Sequence, residues 1–228
     1  MEAVLSKLAV MLVPALLAIM MHEVSHGFVA ERFGDPTARL LGRLNLNPFK
    51  HLDPIGSIAV FIFGFGWAKP VPVNPSNFRR PRKDMVWVAL AGPLTNLLLA
   101  LFSALLLRIL GWLEPVSPGE AGLLMQMLTP LKMMVAFSLY INILLAVFNL
   151  LPVPPLDGGR ILMGFVPDVY ASLLSRLEPF GLILIVLLVF FTNLWSLVLA
   201  PVINFLVLLM AGKQTVVVEQ AMRFLFGH

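Results

Sequence analysis

The chain has 228 residues and no cysteine; 59% of it is hydrophobic, only 12% is charged, and its mean hydropathy is +0.93. Soluble domains run near 45–50% apolar and about 25% charged, so this composition points to an integral membrane protein. It excludes a disordered chain, a disulfide scaffold and a thiolate metal site. The formal charge of +4 and the pI of 9.8 call for no nucleic-acid partner, because basic loops on the cytoplasmic side of a membrane explain them.

In chain order, the first apolar stretch runs from Ala3 to about Ala30, longer than the ~20 residues that a helix needs to cross the hydrocarbon. Pro14 lies inside it, and Gly34-Asp35-Pro36 supplies the stop. Residues 35–53 are polar for this chain, with Arg39, Arg43, Lys50, His51 and Asp53. Residues 54–68 are apolar but short and are broken by Gly56, Gly64 and Gly66, which suits a re-entrant or interfacial segment. Pro70, Pro72, Pro75 and Pro81 keep the next piece extended.

A second span covers Met85 to about Trp112, preceded by the basic run Arg79-Arg80-Pro81-Arg82-Lys83. The loop after it, residues 113–122, carries Glu114 and Glu120 and no basic residue. The positive-inside rule puts residues 79–83 in the cytoplasm and this loop outside. A third span runs from about Leu131 to Leu151, ended by Pro152, Pro154 and Pro155, and a shorter helix is expected from Gly158 to Leu174. The last stretch, Leu177 to Met210, is too long for one span, and Pro201 is expected to split it. The tail 213–228 reads as amphipathic and interfacial. The whole is an all-α polytopic membrane protein of about five to six transmembrane or half-membrane helices. It forms one membrane-embedded domain, with a core at about 3–174 and accessory helices at 177–228.

Residues 22–26 read His-Glu-Val-Ser-His. In a helix, positions i and i+4 share a face, so His22 and His26 can offer two imidazole nitrogens to one metal ion. Glu23 stands beside that ion, where a general base for water must be. Ionisable groups inside a membrane helix are costly and by default mark function. Two histidines leave a site incomplete, since a catalytic zinc usually has three protein ligands and one open position. The candidates are His51, Asp53, Asp168, Glu178 and Asp157. Topology favours Asp157: the third span returns inward, so residues 149–157 share the cytoplasmic depth of His22 and His26. Thr95, Asn96 and Asn142 read as polar glue between helices, Gly92-Pro93 as a kink or close approach, and Arg108 and Lys132 as snorkelling cations.

The H-E-x-x-H in one membrane helix and N-x-x-P-x-x-x-L-D-G at the end of a later one resemble the site-2 protease family, intramembrane zinc metalloproteases of peptidase family M50. The stretches beginning Gly42-Arg-Leu-Asn-Leu-Asn-Pro, Gly66-Trp-Ala-Lys-Pro and Ala91-Gly-Pro-Leu-Thr-Asn96 are similar to its compact bacterial members, for which no PDZ or CBS domain is expected. The resemblance covers about residues 10–170. It implies one Zn2+ per chain held by His22, His26 and Asp157, with Glu23 as the catalytic glutamate and Asn149 as a polar group on the substrate backbone or the developing oxyanion. It further implies that Gly64-Phe65-Gly66 belongs to a re-entrant β-type loop that pairs with substrate, with Asn96 as a further candidate for substrate binding. The implied activity is cleavage of transmembrane helices in the bilayer, near the cytoplasmic side of a bacterial membrane. The same residues leave a membrane metal-ion carrier, an inactive relative that binds helices, and a metalloprotease with Glu as third ligand as alternatives.

Overall fold

The computed structural model describes residues 2–54, 56, 68–113 and 122–227. Its helices are α1 (Glu2–Arg32), α2 (Pro81–Trp112), α3 (Gly122–Asn149), α4 (Asp157–Phe165), α5 (Asp168–Leu177), α6 (Gly181–Phe191), α7 (Ala200–Ala211) and α8 (Thr215–Phe226). Single helical turns stand at Thr37–Leu40 and Pro48–His51. Among the described residues no strand forms, and Leu52 and Ala68 make one isolated antiparallel bridge. Gly64, Phe65 and Gly66 lie outside the described residues.

Four helices are long and apolar enough to cross a membrane: Leu5–Arg32, Pro81–Trp112, Met125–Asn149 and Trp195–Phe226. A fifth crossing is possible if the pair Asp168–Phe180 and Ile183–Val189, bent by 86°, counts as one span. This is a multi-pass membrane protein. Pro14, Pro93 and Pro130 sit inside α1, α2 and α3 without ending them, as membrane helices allow when neighbours satisfy the freed carbonyls. α1 stops where expected: Gly34 takes a φ of +107°, and the Asp35 N–H reaches back to Ala30 O at 3.0 Å.

Three boundaries differ from the sequence reading, the first being the start of α3 at Gly122 rather than at Leu131. The helix expected over 158–174 is two helices, because Pro167 pushes Val166 into an extended conformation (ψ 157°) and ends α4 there. The last apolar stretch breaks at Thr192, whose backbone is extended, rather than at Pro201. Pro201 sits in the first turn of α7, where a missing N–H costs little, and a π-helical turn at Trp195–Leu199 leads into it. The amphipathic tail forms α8 and buries Val218, Ala221 and Leu225.

The chain divides into two compact units. One holds residues 1–18, 96–147 and 194–228. Its core includes Val10, Phe137 and Leu225, with Met11, Met133 and Met222 packed around them. Ala100, Ala104, Ala136 and Ala146 are fully buried, the small-residue surface that lets membrane helices approach closely. Asn96 Nδ2 donates to Asn142 Oδ1 at 2.8 Å and to Ala18 O at 3.2 Å, and Ser103 meets Ser138 at 2.9 Å. Of the two cations within these helices, Lys132 is buried, and the exposed Arg108 donates to Met210 O at 2.9 Å.

The other unit holds residues 19–95 and 148–193. Ala30, Phe78 and Val88 form a core cluster with Phe33, Val73 and Met85. Asp35, fully buried, ties this unit's loops: it accepts from Thr37, from Asn74 N at 2.7 Å and from Asn77 Nδ2 at 2.7 Å. The site lies in this unit.

Candidate metal centre

His22 and His26 project from one face of α1 with ring centroids 4.7 Å apart and planes at 84°. Asp157 is the first residue of α4. Its Oδ2 lies 3.1 Å from His22 Nε2 and 3.3 Å from His26 Nε2. One ligand atom from each of the three falls within 4.8 Å of the others, and all three residues are buried.

The local sequence explains how Asp157 gets there. α3 ends at Asn149, and residues 150–156 turn back before α4 begins. A β-carbon on Gly158 would collide with the carbonyls of Leu150 and Leu151, and one on Gly159 would lie 2.5 Å from Pro154 N. The Gly-Gly pair therefore lets α4 start hard against the turn, which sets the carboxylate before the two imidazoles.

Hydrogen bonding prepares the histidine for a cation. His26 Nδ1 lies 2.7 Å from Val88 O on α2. A carbonyl only accepts, so Nδ1 carries the proton and, in the neutral ring, Nε2 turns its lone pair towards Asp157. Asp157 Oδ2 is buried without a hydrogen-bond partner among the described residues. A carboxylate oxygen facing an imidazole lone pair needs a proton or a metal cation between them, and the convergence of two rings on one oxygen suits a metal. Two nitrogens and one oxygen, with no thiolate in the chain, suit zinc with an open fourth position.

The Glu23 Oε2 accepts the Val71 N–H at 2.9 Å. Asn149 is half-buried as the last residue of α3. The other candidate third ligands are engaged away from the cluster. His51 Nε2 pairs with Asn45 O at 2.7 Å, Asp53 Oδ1 accepts from Gly56 N at 2.8 Å, Asp168 pairs with Arg82, and Glu178 lies 3.8 Å from Arg160. Asn96 belongs to the other unit and bonds as described above. The parts that the sequence reading missed are the backbone partners, Val88 O and Val71 N–H. Neither has a side-chain signature. Gly92 was legible as a close approach, and its target is the histidine pair: a β-carbon there would lie 2.5 Å from His22 Nε2.

The sequence profile of Peptidase family M50 matches residues 10–192. YwhC of Bacillus subtilis (strain 168), which bears a zinc metalloprotease name, is 40% identical over 202 residues, 88% of each chain. Rip2 of Mycolicibacterium smegmatis, named likewise, is 30% identical over 180 residues, covering 76% of this chain and 64% of its own. MJ0611 of Methanocaldococcus jannaschii, again with a zinc metalloprotease name, is 30% identical over 144 residues, 62% of each chain. No solved structure matches with significant similarity. The match over most of the chain, with a three-ligand cluster built on its H-E-x-x-H helix, identifies this protein as a member of peptidase family M50, the site-2 protease family.

Proposed function

We propose that the protein is an intramembrane zinc endopeptidase that cuts transmembrane helices of other membrane proteins near the cytoplasmic side. One observation carries the reading: the ligand atoms of His22, His26 and Asp157 lie within 4.8 Å of one another at the H-E-x-x-H of a helix apolar enough to cross a membrane. One zinc ion per chain fits those ligands. When bound, zinc supplies a Lewis acid that polarises the scissile carbonyl and lowers the pKa of the attacking water.

The chain's own groups do the rest. Glu23 takes a proton from water and gives it to the leaving amine. The Val71 N–H on Oε2 fixes the carboxylate's orientation and leaves Oε1 for that work. Asn149 offers an amide donor where negative charge grows on the substrate. A helical substrate has its carbonyls bonded internally, so it must unwind locally, and an extended stretch then needs new partners. Residues 64–66 would provide them by β-augmentation. In support, the bridge between Leu52 and Ala68 brings the two flanks of that segment together.

The test combines metal analysis of purified protein with cleavage of a model membrane helix, with and without chelator. Wild type is expected to hold zinc and to cut only when loaded. Glu23→Gln is expected to keep its zinc and lose about 10²-fold or more in rate. Cleavage by Glu23→Gln at the wild-type rate defeats the reading, as does zinc flux into vesicles without any proteolysis.

A further inference from the structure

Arg43 is a cation in a polar loop, yet it is buried at 8% exposure and touches no carboxylate among the described residues. Its Nη2 donates to Lys69 O at 2.8 Å and to Pro70 O at 3.3 Å. The next amide along the chain, Val71 N–H, is the donor that holds Glu23 Oε2 at 2.9 Å. The guanidinium thus holds the carbonyls of two successive peptides, and the glutamate holds the N–H of the second of them. Val71 is buried, and its Cγ1 would lie 2.8 Å from a β-carbon on Gly27, one turn beyond Glu23 on α1. A side chain at position 27 would push this strap away from the helix.

The strap needs an external clamp because of its composition. In Lys69-Pro70-Val71-Pro72-Val73 the prolines have no N–H, so the segment cannot hold itself by a regular ladder. Lys69 N–H bonds to His51 O at 2.8 Å. Beyond that bond, the two carbonyls before Val71 are both held by Arg43 Nη2, whose two N–H groups can serve two adjacent acceptors.

The geometry points to Arg43 as a positioning residue for Glu23: it clamps the Lys69 and Pro70 carbonyls so that the Val71 N–H fixes the general base. This assignment rests on the proposed role of Glu23. Arg43 touches neither substrate nor metal ligand and acts wholly through the strap.

Hydrogen exchange tests the clamp without any catalysis. Between residues 70 and 73 only Val71 and Val73 carry an amide hydrogen, so a short peptide reports on these two amides alone. In wild-type protein in detergent, one of those two amides is expected to be protected. In Arg43→Gln, and separately in Glu23→Ala, its exchange is expected to accelerate at least about tenfold. Unchanged protection in Arg43→Gln overturns the inference.

The kinetic arm uses the loaded enzyme and a membrane-helix substrate. Displacing a catalytic group by about 1 Å can cost about 10²-fold. Arg43→Gln is therefore expected to lower kcat by about 10- to 100-fold with KM and bound zinc unchanged. Arg43→Lys, which can still reach one carbonyl, is expected to recover part of the loss. Val71→Pro removes the donor itself. Arg43→Gln added to it is expected to cost nothing further, because both act on one link. Additive losses, or zinc lost in Arg43→Gln, would mean that Arg43 merely supports the fold. If wild type cuts nothing, the protease reading fails. If wild type cuts and Arg43→Gln cuts equally well, only the clamp fails.

Discussion

A β-carbon at position 92 would lie 2.5 Å from both Cε1 and Nε2 of His22 and 2.6 Å from Cε1 of His26. The pair cannot retreat freely, since His26 is bonded to Val88 O and both rings face Asp157. Gly92→Ala must therefore tilt the ligands or push α2 away from them. We expect it to weaken zinc binding by about 10- to 100-fold, the usual cost of disturbing the groups that orient metal ligands, as read by competition with a coloured chelator. Gly111→Ala on the same helix is the control, because its new carbon meets only the end of the flexible Gln214 side chain. Wild-type affinity in Gly92→Ala would show that the rings give way without cost. His22, Glu23 and His26 were legible in the sequence because i,i+4 spacing is local. The partners of His26 and Glu23 were not, because a backbone carbonyl or amide can belong to any residue type.

Among the elements, the loops following α1 are held by one carboxylate. Burial by itself would raise the Asp35 pKa, but hydrogen bonds from Thr37, Asn74 and Asn77 outweigh it and hold the carboxyl below its ordinary value of 3.8. Its folded value is thus depressed. The stabilisation is complete above the ordinary carboxylate range and is lost as pH falls through the lowered folded value. Asp35→Ala strands those buried donors and is expected to cost about 1–3 kcal/mol at neutral pH. Thermal melts of wild type and variant should converge as pH is taken below 3.8, and a constant gap would sink this account. The clasp joins residues about 40 positions apart, which explains its absence from the sequence reading. Helix ends show the same limit. Gly34 marked the end of α1 correctly, because a left-handed glycine stop is written in the chain. Pro201 misled, because proline is neutral in a first turn and disruptive only further in, and sequence alone does not say which turn it occupies.

At the scale of the whole molecule, membrane residence and the first three crossings were readable from apolar length and loop charge; α1 and α2 follow them closely, and α3 begins earlier than expected, at Gly122. The last crossings were not, because an apolar run without charges carries no punctuation. The number of spans, four or five, fixes the side on which the chain ends. If Arg79 to Lys83 lie in the cytoplasm, as the positive-inside rule predicts, the chain enters through α1, leaves through α2 and returns through α3. An even total then puts the C-terminus outside, and an odd total puts it inside. By itself α6 has 11 residues, about 16 Å of the ~30 Å hydrocarbon, so it crosses only with help from its flanks. The charge pattern predicts five. After Ala211 the chain carries Lys213 and Arg223 against the single acid Glu219, and basic ends stay in the cytoplasm. A fluorescent protein fused after residue 228 should therefore fold and glow, while alkaline phosphatase in the same place should be silent. Active phosphatase would reduce the count to four and leave Lys213 and Arg223 on the outer face, against the rule that oriented α2.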